Sequence, residues 1–583
     1  MSFLTYAPLL LALGICFVPV WLLRHANRGG AQAYFVSSHA TRPEVVRNAS
    51  IAYALRMAAF GPLLAWGASG ELVPALIGSA SFGLGVYSIY VLREPLVEFV
   101  DEALRRNRSI TVHEFISQQH GNDRRVRRLA ASLTLFALLG LLVAEALAVA
   151  AVLDAALPAG SRMAYPLVLA TILLAALNAT GSGHSGVMHS AQLQLGMLYL
   201  GLFGSTALLL YLHLSALMSL PPQGTMAILF VGVFCALTLF YRRSKYVDTA
   251  RIESAGTSRG ARVLGRFGKI LNIVISIAVV LVIVLAVMEL LTARTSTLAR
   301  DTAAALHGAR VPYIGLVALC AASLLYPLVD VTNWQRLAAL RKDASAGDAG
   351  PSRQAAALRS VFRIYAAESA LVSVFICTLG AIAVIAIDPT GGADGLHSVV
   401  RRLVVDGNEV TVLLLPLLLL LVFMLALSTM SALFSASLCT LGYDVLESAM
   451  KPKGRRVTRL AAGGLTAAVA GALWGAETFL RISFASSAFL ALLFAFCCAQ
   501  LTFAPLVLGP VIGRRLGFSG TVSAGWALVI LGVGAAGSAA AIIVYFVTGM
   551  EAWLWAAVPA CLGPGIVMFV IARMSCRTQG GVE

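Results

Sequence analysis

The chain is dominated by long apolar runs that are separated by short polar segments. Each run holds about 20 mostly apolar residues, the length that an α-helix needs to cross a hydrocarbon core of about 30 Å. The pattern therefore predicts an all-α integral membrane protein with about fifteen transmembrane helices. The predicted spans lie near 4–24, 46–66, 71–92, 128–155, 164–181, 187–216, 225–241, 268–292, 312–332, 361–387, 409–445, 457–476, 484–511, 521–547 and 552–573.

The composition agrees with a chain that faces lipid. Of the 583 residues, 59% are hydrophobic and 12% are charged, and the mean hydropathy is +0.86. A soluble protein has to present a polar exterior to water, so this composition excludes a water-soluble globular chain. The apolar runs are continuous rather than alternating, which argues against a transmembrane β-barrel.

The positions of the charges predict the orientation in the membrane. No positive charge precedes the first run, whereas Arg24, His25 and Arg28 follow it, so we do not interpret it as a cleaved signal peptide. With the N-terminus outside, about 35 of the 43 Lys and Arg residues fall in cytoplasmic loops. The net charge of +16 then reflects the positive-inside rule, and we expect no nucleic-acid partner. An odd number of spans places the C-terminus inside.

Two of the predicted spans are interrupted by polar and helix-breaking residues. The segment 48–61 mixes Asn, Ser, Tyr, Arg and Gly, and Tyr326-Pro327 is followed by Asp330 and Asn333. Secondary transporters bind solutes near the bilayer midplane with such broken helices, because unwound backbone leaves carbonyls and amides free. Each interrupted segment opens a run of about five spans, which is the pattern of two inverted repeats.

The sequence gives no support to the other common function classes of membrane proteins. A Walker-type phosphate loop is absent, which argues against an ATP-driven pump. No catalytic constellation is recognisable, so we do not expect an enzyme. The nine cysteines show no CxxC spacing and are interpreted as reduced packing residues. The Ala-, Leu- and Arg-rich composition with few Lys predicts a bacterial cytoplasmic (inner) membrane protein.

Four segments together resemble the sodium:solute symporter family, which holds the bacterial proline, pantothenate and monocarboxylate carriers. Each segment is a weak signal alone, but all four occur in the family's order and spacing. They are Tyr34-Phe35-Val36-Ser37-Ser38 before the first broken span, Thr111-Val112-His113-Glu114-Phe115 followed by Gly121, Asp330 to Arg336 with Leu337-Ala338-Ala339, and Ala426 to Ser435 closing with Tyr443-Asp444.

The resemblance implies a LeuT-type fold with two inverted five-helix repeats. On that map, residues 1–45 form a leading transmembrane helix and a cytoplasmic loop, and 46–216 form the first repeat. Residues 217–311 are then an inserted helix pair with a basic loop, and 312–511 form the second repeat. Residues 512–583 supply the trailing helices and a short tail.

The resemblance also implies a cation site. In the family it is made by backbone carbonyls of the first core helix and by carbonyl and hydroxyl oxygens of the sodium-site helix. By position these are the carbonyls of Ala54, Met57 and Leu425 and the hydroxyls of Ser428 and Thr429. Oxygen ligands suit a hard ion such as Na⁺. The alternative is that the two hydroxyls bond back to their own helix or join neighbouring helices.

Two departures from the family pattern weaken the case for sodium coupling. Arg56 stands where many members have an Asp, and Ser190-Ala191-Gln192-Leu193-Gln194 stands where the family has an acidic residue on its fifth core helix. We expect Arg56 to occupy or overlook the cation site, with Glu145 as its partner. The alternative is that Arg56 extends to the cytoplasmic edge of the membrane.

The sequence therefore predicts a secondary active transporter of a small organic solute that works by alternating access. An amino acid or organic acid is favoured, because Arg binds carboxylates through paired hydrogen bonds. The candidate solute-binding residues are Tyr53, Arg56, Glu145, Tyr326 and Asp330. We expect no cofactor, with Na⁺ or H⁺ as the candidate coupling ion. A transporter-like sensor that reports to a separate signalling partner protein is the second interpretation.

Overall fold

A computed structural model of the chain describes residues 14, 34–35, 43–68, 71–106, 108–157, 163–212, 311–342, 351–387, 411–446, 454–479, 487–516 and 520–579. All regular structure in these ranges is helical. The predicted spans 4–24, 225–241 and 268–292 lie outside the described residues, as do most of the leading segment 1–45 and the insertion 217–311.

The helices with described bounds follow the apolar runs. The first seven are α1 (Pro43–Ala54), α2 (Met57–Ala68), α3 (Leu72–Val91), α4 (Arg93–Arg105), α5 (Val112–Gln119), α6 (Arg124–Ala156) and α7 (Ala164–Leu212). The next five are α8 (Tyr313–Val329), α9 (Val331–Lys342), α10 (Pro351–Ile387), α11 (Thr411–Thr440), which continues into a π-helix (Leu441–Val445), and α12 (Gly454–Phe479). The last four are α13 (Ser487–Leu501), α14 (Ala504–Arg515), α15 (Ala524–Thr548) and α16 (Ala552–Gln579).

Both predicted breaks are present. The α1–α2 pair bends by 58° and the α8–α9 pair by 43°, each within one membrane-length segment. A third pair, α13–α14, bends by 49° at a position that we did not predict. Among the described residues, eight helices are long and apolar enough to cross a membrane, or up to eleven if each bent pair is one span.

These helices account for eleven of the twelve predicted spans that fall in the described residues. The twelfth, 457–476, corresponds to a shorter apolar helix, Leu460–Gly475. Helix α7 covers the predicted spans 164–181 and 187–216, and its helical geometry is interrupted at Gly183, where φ is 64°. An all-α membrane protein is therefore confirmed, whereas the total number of spans and the orientation of the termini stay predictions.

The two broken helices are held by reciprocal packing. Helix α3 packs on α8, helix α10 packs on α2, and α3 and α10 pack on each other. A Cβ atom at Gly85 of α3 would overlap the backbone carbonyl of Leu324, and one at Gly380 of α10 would overlap that of Leu64. Small residues allow membrane helices to approach this closely. Such cross-packing is what inverted repeats would produce, although the repeat boundaries stay predictions.

Alanine is a better helix former than glycine, so Gly→Ala at these two positions tests the contact between the helices rather than helix formation. We expect Gly85→Ala and Gly380→Ala each to destabilise the protein by about 1–3 kcal/mol, because a backbone carbonyl cannot move aside as a side chain can. Gly463→Ala is the control, since open space surrounds that position. Thermal unfolding in detergent measures the effect, and equal melting temperatures for all three variants would contradict it.

One buried histidine connects the polar loop before α6 to α14 and to the segment that precedes α15. The Val522 backbone amide donates to His120 Nδ1 (3.0 Å), so the other ring nitrogen, Nε2, carries the hydrogen and donates to the Leu506 carbonyl (2.9 Å). Burial lowers the pKa of His120 below its usual range, although the backbone hydrogen bonds oppose this shift. The folded chain therefore favours neutral imidazole.

This histidine makes stability depend on pH in a defined direction. Because its pKa is lower in the folded than in the unfolded chain, its contribution is complete above the unfolded pKa of about 6.5 and is lost as the pH falls below that value. We expect the melting temperature to drop less between pH 7.5 and pH 5 in His120→Gln than in the wild type. Gln keeps one donor and one acceptor but binds no proton. Equal drops would contradict this linkage.

Candidate functional site

The breaks in the two bent spans come together around one buried tyrosine. Tyr53 lies in the last turn of α1 and is 1% exposed. The guanidinium carbon of Arg56 lies 4.7 Å from the centre of its ring, and that of Arg336, on α9, lies 4.5 Å from it. Two guanidinium groups on one aromatic ring bring two positive charges into the interior of the protein, where each needs compensation.

Arg56 is compensated from the second broken span. Its Nη2 donates to the Tyr53 hydroxyl at 2.9 Å and lies 3.9 Å from Asp330 Oδ2. Its guanidinium carbon is also 5.0 Å from the ring centre of Tyr326. The side chains of Arg56 and Asp330 are 10% and 2% exposed, so this pair is screened little by solvent. Arg56 therefore faces the interior of the bundle, and the alternative of an extended cytoplasmic position is wrong.

The sequence around Asp330 explains how the second break holds its carboxylate. Asp330 Oδ1 accepts the Thr332 backbone amide (3.0 Å), and Oδ2 accepts the Thr332 hydroxyl (2.7 Å), which is the arrangement of a helix N-cap. The carbonyls exposed by the break are satisfied by the next turn. Asn333 donates to the Pro327 carbonyl (2.9 Å), and the Trp334 indole donates to that of Leu328 (2.8 Å). Thr332 thus fixes the orientation of the Asp330 carboxylate independently of Arg56.

Glu145 lies at the first break but does not form the expected ion pair with Arg56. It is on α6 and 1% exposed, and its carboxylate oxygens make no hydrogen bond of normal geometry with the described residues. The polar groups that act on it are the Arg56 guanidinium and the backbone amides of Met57 and Ala58. These amides open α2, where the helix leaves its first donors unpaired. Glu145 therefore faces a helix N-terminus, and Asp330 takes the ion-pair position.

The residues of the predicted cation site lie on adjacent elements. Helix α11, which carries Leu425, Ser428 and Thr429, packs against both α1 and α2. Ala54 ends α1 and Met57 begins α2, so both flank the break, and the Ala54 carbonyl accepts the Arg56 amide at 3.1 Å. A carbonyl oxygen has a second lone pair that stays available to a ligand.

The two hydroxyls of this set are adjacent in the chain and both lack a partner, as do the isolated hydroxyls of Ser79, Ser205 and Thr440 among the described residues. Ser50, Thr171, Thr206 and Ser437 donate to backbone carbonyls of their own helices. The hydroxyls of Ser428 and Thr429 are buried and have no hydrogen-bond partner among the described residues. The alternative of bonding back to their own helix is therefore not realised. Two orphaned hydroxyls at i and i+1, beside a broken helix, fit an oxygen-ligated cation.

Two other groups at this site were missed or misplaced by the sequence reasoning. We did not single out Arg336, because its distance of 280 residues from Arg56 hides their common contact with Tyr53. His184 was likewise not among the predicted site residues, yet it is 5% exposed and its Nδ1 lies 3.2 Å from Ser435 Oγ. The interruption at Gly183 turns it into the bundle.

Comparison with known proteins supports the architecture. No protein-family model matches the sequence, and no curated protein matches it. Among solved structures, one match is titled "Substrate-bound outward-open state of a Na+-coupled sialic acid symporter reveals a novel Na+-site". It aligns with a TM-score of 0.60 at 12% identity, covering 97% of this chain and 98% of that chain. The chain has the fold of a membrane transporter.

The ion pair between the two breaks can be tested by a double-mutant cycle. Asp330→Asn keeps an acceptor for the Thr332 amide but leaves Arg56 uncompensated, and we expect a loss of about 3–5 kcal/mol. Combining it with Arg56→Met removes the unpaired charge, so the double variant should be more stable than Asp330→Asn alone. Thermal unfolding measures both.

The control for this cycle is Glu102→Gln, which breaks the exposed pair with Arg106. We expect it to change stability by no more than about 1 kcal/mol, since surface ion pairs contribute little. Additive effects of the Arg56 and Asp330 substitutions would show that the two breaks are not coupled through this pair.

Proposed function

We propose that this protein is a secondary active transporter that moves a small organic solute across a bacterial cytoplasmic membrane by alternating access. The observation that carries the proposal is the meeting of two broken helices at a buried charged centre. Unwound backbone and charged side chains inside a membrane bundle are costly unless they serve a solute or ion. The match to a transporter over nearly the whole chain supports the same class.

The charges of the centre favour a solute that carries a carboxylate. Arg56 and Arg336 both lie against Tyr53, whereas Asp330 is the single carboxylate within ion-pair distance of either among the described residues. Arg binds carboxylates with two parallel hydrogen bonds, which Lys does not reproduce. We therefore propose an amino acid or organic acid, held near Tyr53, Arg56, Glu145, Tyr326 and Asp330.

Two features bear on whether Na⁺ is the coupling ion: the unpaired oxygen groups that could bind it and the positive charge of Arg56 that opposes it. The orphaned hydroxyls of Ser428 and Thr429, with the carbonyls of Ala54, Met57 and Leu425, would hold Na⁺ if it binds. Arg56 lies in the same break, and a positive charge there lowers the affinity for a cation. Its guanidinium points to Tyr326 and Asp330 and does not hydrogen-bond to either hydroxyl. We propose that Arg56 acts from beside the cation site and that sodium coupling is weak or absent.

Solute counterflow in proteoliposomes tests the transporter assignment without assuming a coupling ion. Liposomes preloaded with one unlabelled amino or organic acid should accumulate the same labelled solute, because exchange needs only alternating access. Arg56→Lys should reduce this exchange by about tenfold or more, since it removes the paired hydrogen bonds but keeps the charge. Arg514→Gln, an exposed position, serves as the control.

The two interpretations of the fold predict different results in this assay. Solute binding to the purified protein without any exchange would overturn the transporter assignment and favour the sensor that works with a signalling partner. Exchange of a solute with equal rates in the wild type and Arg56→Lys would leave transport intact but remove Arg56 from the binding site.

Sodium dependence is measured on the same vesicles. We expect uptake to fall less than about threefold when Na⁺ is replaced by N-methylglucamine at constant ionic strength, because Arg56 weakens the cation site by several kcal/mol at close range. Ser428→Ala/Thr429→Ala should then have little effect on uptake. A strict requirement for Na⁺ that this double variant abolishes would contradict weak coupling.

A further inference from the structure

A small cavity lies next to the charged centre, on the side of α1 and α9. It has about 10 Å³ of room, which fits one water-sized group. Its walls come from four helices and include Ala49 of α1, His184 and Ala191 of α7, Gln335 and Arg336 of α9 and Ser428 of α11. The cavity thus shares Ser428 with the predicted cation site and Arg336 with the centre around Tyr53.

The polar atoms that line this cavity lack partners. Arg336 Nε, His184 Nε2 and Ser428 Oγ are buried and make no hydrogen bond with the described residues. Arg336 Nε carries a hydrogen at all accessible pH values, and a serine hydroxyl can always donate. When Ser435 donates to His184 Nδ1, the hydrogen of that ring lies on Nε2 and points away from Ser435. Arg336 Nε and Ser428 Oγ are therefore donors beside a space of about one water, and His184 Nε2 is a third donor in the tautomer in which Ser435 donates to Nδ1.

One acceptor in the wall is also free. Gln335 Oε1 has no hydrogen-bond partner, whereas the amide nitrogen of the same side chain donates to the Phe35 carbonyl at 3.2 Å. Because the amide is oriented by that bond, its oxygen suits a water or a hydroxyl that accompanies a ligand. The donors outnumber this acceptor.

Arg336 gives the cavity its charge. Its side chain is buried, and its Nη1 donates to the neutral Asn333 Oδ1 at 3.1 Å. No carboxylate lies within ion-pair distance of it among the described residues, since Asp330 is engaged by Thr332 and Arg56. A buried guanidinium without a counter-charge is strongly unfavourable. None of the residues that line the cavity is acidic, and Ala191 is one of its apolar members.

We propose that this cavity binds a compact anion, either a halide or the carboxylate end of a small organic acid. Free N–H and O–H donors around one buried positive charge are the surroundings that such an anion requires. The halide source is independent of the transport assignment. Binding of a carboxylate rests on the proposed function, because the cavity would then be a second binding position for the transported solute beside α1 and α9.

Ala191 offers a substitution that fills the site with its own anion. Ala191→Asp places a carboxylate in the cavity wall facing Arg336, whereas Ala191→Asn adds nearly the same volume without charge. We expect chloride or formate to raise the melting temperature of the purified wild-type protein by about 1–3 °C in a saturable way. Both side chains occupy the space, so both variants should lose this response, and the Asp variant should melt at a higher temperature than the Asn variant because only its carboxylate balances Arg336.

The buffers are chosen so that neither sodium binding at the cation site nor a general effect of salt contributes to the response. All salts are N-methylglucamine salts, so no sodium is present, and gluconate at equal ionic strength serves as an anion too bulky for the cavity. A wild-type response that is the same in chloride, formate and gluconate would overturn the proposal. An Asp variant that responds as strongly as the wild type, or that is no more stable than the Asn variant, would overturn it as well.

Ser428→Ala keeps the experiment decisive if the Asp variant does not fold. It removes one free donor and no described hydrogen bond, and it should raise the chloride or formate concentration for half-maximal stabilisation by about three- to tenfold. An unchanged midpoint would contradict the site.

The anion series also separates the two sources. Stabilisation by chloride alone assigns the site to a halide, whereas stabilisation by formate assigns it to the carboxylate end of the solute. These measurements need no flux. Anion binding without counterflow would therefore reject the proposed transport while leaving the anion site in place. Counterflow without anion binding would reject the anion site while leaving the proposed transport in place.

Discussion

The compensation of buried positive charge is the constraint on which this structure depends. A guanidinium inside a membrane bundle has no water to solvate it, so its counter-charge has to come from the protein or from a ligand. Arg56 on the first broken span obtains Asp330 from the second, and this contact makes the geometry of one break depend on the other. Arg336 shares the Tyr53 ring but obtains no carboxylate among the described residues. Among the described residues, no carboxylate lies within ion-pair distance of Arg336, so a bound anion would supply its counter-charge.

The backbone groups that the two breaks leave without helical hydrogen bonds find partners in different ways. The second break is closed by its own sequence, since Thr332, Asn333 and Trp334 satisfy the groups around Pro327 and Asp330. At the first break the amides of Met57 and Ala58 face Glu145, which belongs to another helix. A break that depends on a distant carboxylate can change when that helix moves, whereas a break closed by its own residues is rigid. The first break is thus the better candidate for rearrangement during a transport cycle.

The sequence was a good guide where the signal is local. Long apolar runs located nearly all the described spans, and Pro327 with Asp330 marked the second break because proline removes a backbone donor and aspartate caps a helix. The third break carries the same kind of signal, since Pro505 lies in the first turn of α14, but its flanking residues include no charged group that would have drawn attention to it. Pairing across hundreds of residues has no local signal. Glu145 was the expected partner of Arg56, whereas the packing of the helices places Asp330 at ion-pair distance instead.

The packing also relates the two sites to a possible movement. Helices α3 and α10 hold α8 and α2 through close contacts at Gly85 and Gly380, and α1 and α9 are counted with this group because they continue the same two broken spans. Helices α7 and α11 pack closely on each other and form a second group with α6 and α12. Ala49 and Arg336 belong to the first group, whereas His184 and Ser428 belong to the second.

The anion cavity therefore lies on the boundary between these groups. Separation of the groups on this side would enlarge the cavity, pull Ser428 away from the first break and expose Arg336. One displacement would then weaken the cation site and open the anion cavity together. Weak cation binding and release of an anionic solute would be linked by the same wall, without any direct contact between the two ligands.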